Sequence, residues 1–493
     1  MATATLKLPD RPKRSASSIP AIRLLADQTF SRVAGAPLIG GNQLRLLKDA
    51  QENYPAWLDA IASAKHVIFF ETYIIRNDSE GKRFAEALIS KAQEGVQVYL
   101  IYDWAGGFLK TSKRYWKHLR REGVHVRCFN PPKLASPMAW LTRDHRKSLV
   151  IDNKIAFVSG LCVGCMWSGD AEKGIEPWRD TGVEIRGPAI AEVARAFTRT
   201  WSAIGDPLPE DALNLFDDPI REEGDVNLRV IATEPETAGM FRLDQLVSAI
   251  ARSRLYLSDA YFAGTTAYVQ ALVSAAKDGV DVRLLVPGTS DISIISPLSR
   301  VGYRPLLEGG VRIYEWNGPM MHSKTAVADA KWGRIGSTNL NVMSWTGNWE
   351  LDVAVEDEKF AQQMEETFLE DLTGATEIVL KEKRVVKQAL DPLQFRRRRR
   401  GSAGRVVAGA LTIGRAIDAA VTNRRDFSRT EARALLTASF VFLGIALLLY
   451  FYPRIIVIPV AFLLVWTALA LAIRAVRLLR NKPPAGSEPS SSS

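Results

Sequence analysis

The chain of 493 residues is 47% hydrophobic and 24% charged, which excludes a disordered or fibrous protein and leaves room for two ordinary domains and an appendage. Its formal net charge of +10 is gathered mainly after residue 380, so an anionic surface is expected near that end. Cysteines at positions 128, 162 and 165 are too few for a disulfide framework, and the opening residues lack the continuous apolar stretch of an export signal.

Residues 1–39 are expected to be a disordered, basic segment, because Pro, Ser, Lys and Arg dominate the first 20 positions. Regular order then begins. Gln51 to Ala64 has helical spacing, His66 to Ile75 is a β-rich buried run, Gly81 to Glu94 is again helical, and Gly95 closes that helix before a strand from Val96 to Tyr102. The same order returns later. Arg254 to Phe262 matches the strand holding Glu71 and Tyr73, Tyr268 to Val280 matches Phe84 to Val96, and Gly310-Val311-Arg312-Ile313 matches Gly123-Val124-His125-Val126. The spacing therefore predicts a duplicated α/β protein with halves at 40–203 and 226–380, joined by a linker at 204–225 rich in Pro, Asp and Glu.

Each half carries the pattern H-x-K-x-x-x-x-D. The first copy runs from His145 and Lys147 to Asp152, and the second from His322 and Lys324 to Asp329. Each leads into an apolar run that ends in small residues, Ser159-Gly160 and Gly336-Ser337. Read as strands, these motifs put each histidine on the same face as its lysine, with Asp152 and Asp329 opposite and structural. An imidazole beside an ammonium, present twice, suits phosphodiester chemistry. One neutral histidine attacks phosphorus, the other protonates the leaving oxygen, and the lysines neutralise the phosphoryl oxygens without a metal or organic cofactor.

The paired motifs resemble the phospholipase D superfamily, and the resemblance covers roughly residues 40–375. It implies tandem duplicated α/β/α sandwich domains related by a pseudo-two-fold axis, with the two histidines meeting near that axis. It also implies that Asn339 helps hold the phosphate and that Asp180 and Glu350 hydrogen-bond the histidine of their own half, fixing its tautomer. Ser159 and Ser337 are further candidates for the phosphate side. Cys162 stands where the first half would carry its asparagine, and a thiol is a poor replacement as a donor. Cys162 and Cys165 form a C-x-x-C pair, but neither the further ligands of a zinc site nor the helix-opening context of a redox motif accompanies them.

After Lys381 the composition changes. Residues 381–430 are expected to form a polybasic segment, including Arg396 to Arg400, and an interfacial helix. Ala434 to Tyr452 and Ile455 to Ile473 are uncharged apolar runs, each long enough as a helix for about 28 Å. They predict a transmembrane hairpin within 431–482, followed by a disordered tail at 483–493. Arginines outside both ends of the hairpin put the catalytic halves on the cytoplasmic side.

Within the superfamily, Trp178-Arg179-Asp180-Thr181, Gly336 to Leu340 and Asn348-Trp349-Glu350 look most like the bacterial cardiolipin synthases, although those carry their hairpin before the catalytic halves. The resemblance implies an enzyme of the bacterial inner membrane that moves a phosphatidyl group between phospholipids, with phosphatidylglycerol as substrate, an anionic membrane as partner and no nucleic acid. The alternatives are a phospholipase D that uses water as acceptor, a nuclease of the superfamily, and a non-catalytic membrane scaffold.

Overall fold

The computed structural model describes residues 21–132, 142–216, 218–291, 295–381 and 384–388, together with Phe462, Val465, Trp466, Ala468 and Leu469. The chain forms two compact units. The larger, residues 1–129 and 142–422, holds both halves of the repeat, and the smaller comprises residues 130–141 and 423–493. In the smaller unit Phe462, Val465, Trp466, Ala468 and Leu469 are helical, and the rings of Phe462 and Trp466 lie 5.8 Å apart. Among the described residues no helix is long and apolar enough to cross a membrane. The hairpin expected within 431–482 otherwise lies outside the described residues, as do the interfacial helix and the tail.

In the larger unit the first half contributes β1 (Ile39–Lys48), β2 (Val67–Thr72), β3 (Gln97–Asp103), β4 (His125–Phe129), β5 (Ser148–Ile151), β6 (Ile155–Ser159) and β7 (Thr181–Arg186). The second contributes β8 (Val226–Thr233), β9 (Arg254–Ser258), β10 (Asp281–Pro287), β11 (Arg312–Trp316), β12 (Thr325–Ala328), β13 (Trp332–Gly336), β14 (Glu350–Val355), β15 (Ala375–Lys381) and β16 (Arg384–Gln388). All belong to one sheet, in the order β16-β15-β11-β10-β9-β12-β13-β14-β8-β1-β7-β6-β5-β2-β3-β4. From the central β8–β1 seam outward, the two sides list equivalent strands in the same order. That seam is antiparallel, pairing Ile39 with Leu228 and Asn42 with Val226, and it generates the pseudo-two-fold relation of the halves.

Inner strands such as β2 and β6 form because their residues are apolar on both faces, as expected of strands covered by helices on either side. Along β2 the alternation divides two cores. Ile68 and Phe70 face the helices Asp49–Ser63 and Ser79–Gln93, whereas Val67 and Phe69 face the helix Ile190–Ala203. The second half repeats this, with Ala326 and Ala328 on the outer core and Val327 on the shared one. The shared core draws side chains from both halves, so the halves bury apolar surface against each other.

Local signals set the helices. Asp78 caps Ser79–Gln93 by accepting from the Gly81 amide at 3.1 Å, and Thr265 caps Thr266–Lys277 through the Tyr268 amide at 3.3 Å. Each helix is followed by a glycine at positive φ, Gly95 at 92° and Gly279 at 91°.

Three expectations need correction. The segment up to residue 39 is not irregular throughout, because Ala21–Ala34 is helical, with Phe30, Val33 and Ala34 spaced to pack on the second-half core. The connection at 204–225 is no loose linker. Leu208, Ala212, Leu213 and Phe216 are buried in the shared core, so its acidic residues accompany an apolar face. The basic segment that opens at 381 begins inside the sheet, since Arg384–Gln388 pairs antiparallel with β15, where Val385 and Val386 favour extended backbone.

Candidate active site

Both histidine motifs begin just before their strands. β5 starts at Ser148 and β12 at Thr325, and the residues ahead of them leave the sheet to meet the opposite half. Asp144 bridges Trp349 and Arg179 bridges Met321, both in parallel sense. The amide of His145 donates to the Trp349 carbonyl at 2.8 Å, and the amide of His322 donates to the Arg179 carbonyl at 2.8 Å. In each case the partner is the residue directly before the other half's acid. Backbone geometry therefore delivers each acid to the histidine of the opposite half.

The side chains follow. His145 Nδ1 lies 2.9 Å from Glu350 Oε2, and His322 Nδ1 lies 2.6 Å from Asp180 Oδ2. Expected to serve their own halves, Asp180 and Glu350 instead cross the seam, because the bridges above bring strand entries of unlike halves together. A carboxylate only accepts, so Nδ1 carries the hydrogen in both rings and Nε2 keeps its lone pair. The Ser337 carbonyl, 3.1 Å from His145 Nδ1, supports the same tautomer.

His145 and His322 line a single cavity of about 290 Å³, together with Cys162, Asn339, Tyr73 and Tyr261 among others. Lys147 and Lys324 are buried beside it, their ammonium groups donating to the carbonyls of His145 and His322. Asn339 Oδ1 is buried without a hydrogen-bond partner among the described residues. Cys162 takes the equivalent place in the first half, buried and in no disulfide, its carbonyl accepting the Tyr54 hydroxyl at 2.6 Å.

Burial lowers the pKa of His145 against the pull of Glu350, and burial with the charges of Lys324, Lys147 and His145 lowers that of His322 further. Both imidazoles are thus held neutral. The two acids differ. Burial lifts Asp180 to about 6, whereas at Glu350 burial is outweighed by His145, Lys147 and the Ser337 hydroxyl, which hold it below its ordinary range. Burial also lowers Lys324 to about 8.

Neither candidate serine reaches the cavity. Ser337 Oγ donates to Glu350 Oε2 at 2.6 Å, and Ser159 Oγ is 3.2 Å from the Leu161 amide. They brace the loops after β13 and β6, which corrects their assignment to the phosphate side. The equivalent of Ser337 in the first half is Gly160, where an added Cβ would come within 2.2 Å of Asp180 Oδ1. Asp180 thereby lacks the hydroxyl that stabilises Glu350. Asp152 and Asp329 are not on strands but in the turns that follow them, at φ of 50° and 54°. Asp152 accepts from the amides of Lys65, His66 and Val67, and Asp329 from those of Arg252, Ser253 and Arg254.

Several site residues carried no motif signal. Tyr73 lies edge-on to His145 at 5.1 Å and Tyr261 edge-on to His322 at 5.9 Å; their only trace was the match between the strands that precede them. Trp167 walls His322 at 5.8 Å, beside Trp178 of the stretch already singled out in the sequence, at 5.5 Å. Arg146, between the motif histidine and lysine, is fully buried and donates to the carbonyls of Glu350, Ala196 and Thr233, which ties the first motif to β14 and β8.

The family model described as "Cardiolipin synthase, PLD-like domain" matches residues 57–201 and 246–372, one segment per half. The chain is 33% identical over 346 residues to the cardiolipin synthase of Alkalihalophilus pseudofirmus, covering 69% of this chain and 68% of that protein. It is 30% identical over 362 residues to cardiolipin synthase A of Pseudomonas aeruginosa, covering 72% of each. Among solved structures, phosphatidylserine synthase of Haemophilus influenzae Rd KW20 shares the fold, with a TM-score of 0.56 at 12% identity over 71% of this chain and 91% of that one.

Proposed function

The chain belongs to the cardiolipin synthase family of phospholipase D-like proteins and is a phosphatidyltransferase; we propose that it joins two phosphatidylglycerols into cardiolipin through a phosphohistidine. The observation that carries this reading is the convergence of two Nδ1-anchored imidazoles on one cavity.

In the first step His145 Nε2 attacks the donor phosphorus, and the bond from phosphorus to the head-group glycerol oxygen breaks. His322, as imidazolium, gives its Nε2 proton to that oxygen. The phosphodiester anion brings the charge that raises His322 from its neutral resting state, and Asp180 stabilises the imidazolium that results. In the second step His322 Nε2 takes the proton of the acceptor's primary hydroxyl. Its oxygen attacks phosphorus, and the P–N bond to His145 breaks. Lys147, Lys324 and Asn339 hold the phosphoryl oxygens in both steps. The unlike acids support this division, since a firmly ionised Glu350 suits a histidine that attacks, and an Asp180 that takes a proton more readily suits the pair that exchanges protons. Asp152 and Asp329 serve the turns. The polybasic run and the apolar runs beyond residue 430 support action at the cytoplasmic face of a bacterial inner membrane.

Vesicles containing the full-length protein and labelled phosphatidylglycerol are expected to yield cardiolipin and free glycerol, with excess glycerol reversing the product. Phosphatidic acid as the sole product would mean hydrolysis instead, and no product a scaffold. The rate should be bell-shaped in pH. Below about 6 Asp180 is protonated and cannot accept from His322, and above about 8 Lys324 loses its charge. Lys324→Arg is expected to move the basic limb upward while leaving the acidic limb in place. A basic limb unchanged in that variant would assign it to another group.

A further inference from the structure

The catalytic cavity is unequal about its pseudo-two-fold. Besides the motif residues it is lined by Arg76, Lys110 and Arg143, and among its described lining residues Asp291 is the one carboxylate. Asp291 already accepts the Tyr261 hydroxyl at 2.8 Å. Counting from Tyr73 and Tyr261, the equivalent of Arg76 in the second half is Gly264, so this cation marks one side only.

Arg76 is placed with care. Its amide donates to the Val163 carbonyl at 2.9 Å, and the Val163 amide donates to the Ile74 carbonyl at 3.1 Å, which lays residues 74–76 along the segment holding Cys162. Gly164 gives the arginine stem its room, since a Cβ there would come within 2.8 Å of Arg76 Cδ. The guanidinium Nε is buried without a hydrogen-bond partner. Arg76 and Lys110 line the same cavity, and partial burial with the Arg76 charge lowers the pKa of Lys110 even though Asp291 pulls it upward, so the two cations repel and an anion between them would relieve both.

We propose that Arg76 and Lys110 form a second phosphate site, beside the reacting phosphorus, which holds the phosphodiester of the acceptor lipid. It rests on the reading that the acceptor is a phosphatidylglycerol. Such an acceptor carries its own phosphate one glycerol away from the hydroxyl that attacks, whereas water and free glycerol carry none. The site therefore selects the acceptor and sets which side of the cavity it enters from. Cys162, smaller and less polar than the asparagine across the axis, leaves that side open.

The test compares two reactions of the full-length protein in phosphatidylglycerol vesicles: cardiolipin formation, and incorporation of labelled free glycerol into phosphatidylglycerol. The second uses the same donor and the same histidines but an acceptor without phosphate. In the double variant R76Q/K110Q, cardiolipin formation is expected to fall on the order of ten- to hundredfold, as loss of charge-assisted bonds implies, with glycerol incorporation changed by less than about threefold. Gly164→Ala, which displaces the Arg76 stem and keeps both charges, should give the same split in milder form. Equal loss of both reactions in R76Q/K110Q would assign the cations to the donor phosphate or to folding, and equal retention would deny them a role. Either overturns the second site alone. A wild-type protein that incorporates glycerol yet forms no cardiolipin would overturn the phosphatidylglycerol acceptor and the second site with it.

Discussion

Replacement of His145 or of His322 by alanine is expected to lower phosphatidyl transfer by roughly ten-thousandfold or more, without loss of the fold. Each ring sits at the edge of the cavity and is held by one carboxylate, so its removal leaves no large void in the sheet. The two variants should nevertheless fail differently. Without His145 no covalent bond to phosphorus forms. Without His322 the departing glycerol oxygen lacks its proton, a deficit that a lipid with an acidic leaving group removes. A burst of p-nitrophenol from a phosphatidyl p-nitrophenyl ester should survive in His322→Ala and vanish in His145→Ala. The opposite pattern would exchange the roles of the histidines.

The same probe separates the acids, and here the crossed pairing makes a prediction contrary to chain order. Asp180→Asn and Glu350→Gln are each expected to cost on the order of a hundred- to ten-thousandfold in kcat, because an amide can present a donor to Nδ1 and stabilise the wrong tautomer. Asp180 lies in the half of His145 but holds His322, so Asp180→Asn should keep most of the p-nitrophenol burst. Glu350 lies in the half of His322 but holds His145, so Glu350→Gln should lose it. With the histidine variants assigning attack to His145, rescue of Glu350→Gln rather than Asp180→Asn would show that each acid serves its own half.

Much of this was legible in the residues. The tandem repeat of helix and strand, and the doubled H-x-K-x-x-x-x-D, describe a duplicated α/β protein, and the sheet with its seam between β1 and β8 is that duplication. Spacing along one strand says nothing about which strand of the other half it meets. The crossing of Asp180 and Glu350 depends on bridges between residues more than 140 positions apart and left no local trace. Ser159 and Ser337 had the right chemistry for a phosphate, but their hydroxyls are directed into the loops that end β6 and β13. A strand read as far as Ile75 stops at Thr72, because Tyr73, Ile74 and Arg76 turn out of the sheet to line the cavity. Composition also misjudged the ends of the halves, where Phe30, Val33 and Phe216 commit polar-looking segments to a core.

The most direct test is to quench the wild-type protein during turnover of phosphatidylglycerol labelled in its phosphate and to map the labelled residue by mass spectrometry. Two imidazoles of unlike role on one phosphorus require label on His145 alone, lost on adding excess acceptor. Label on His322, or turnover with no covalent adduct in a form that preserves phosphohistidine, would contradict it.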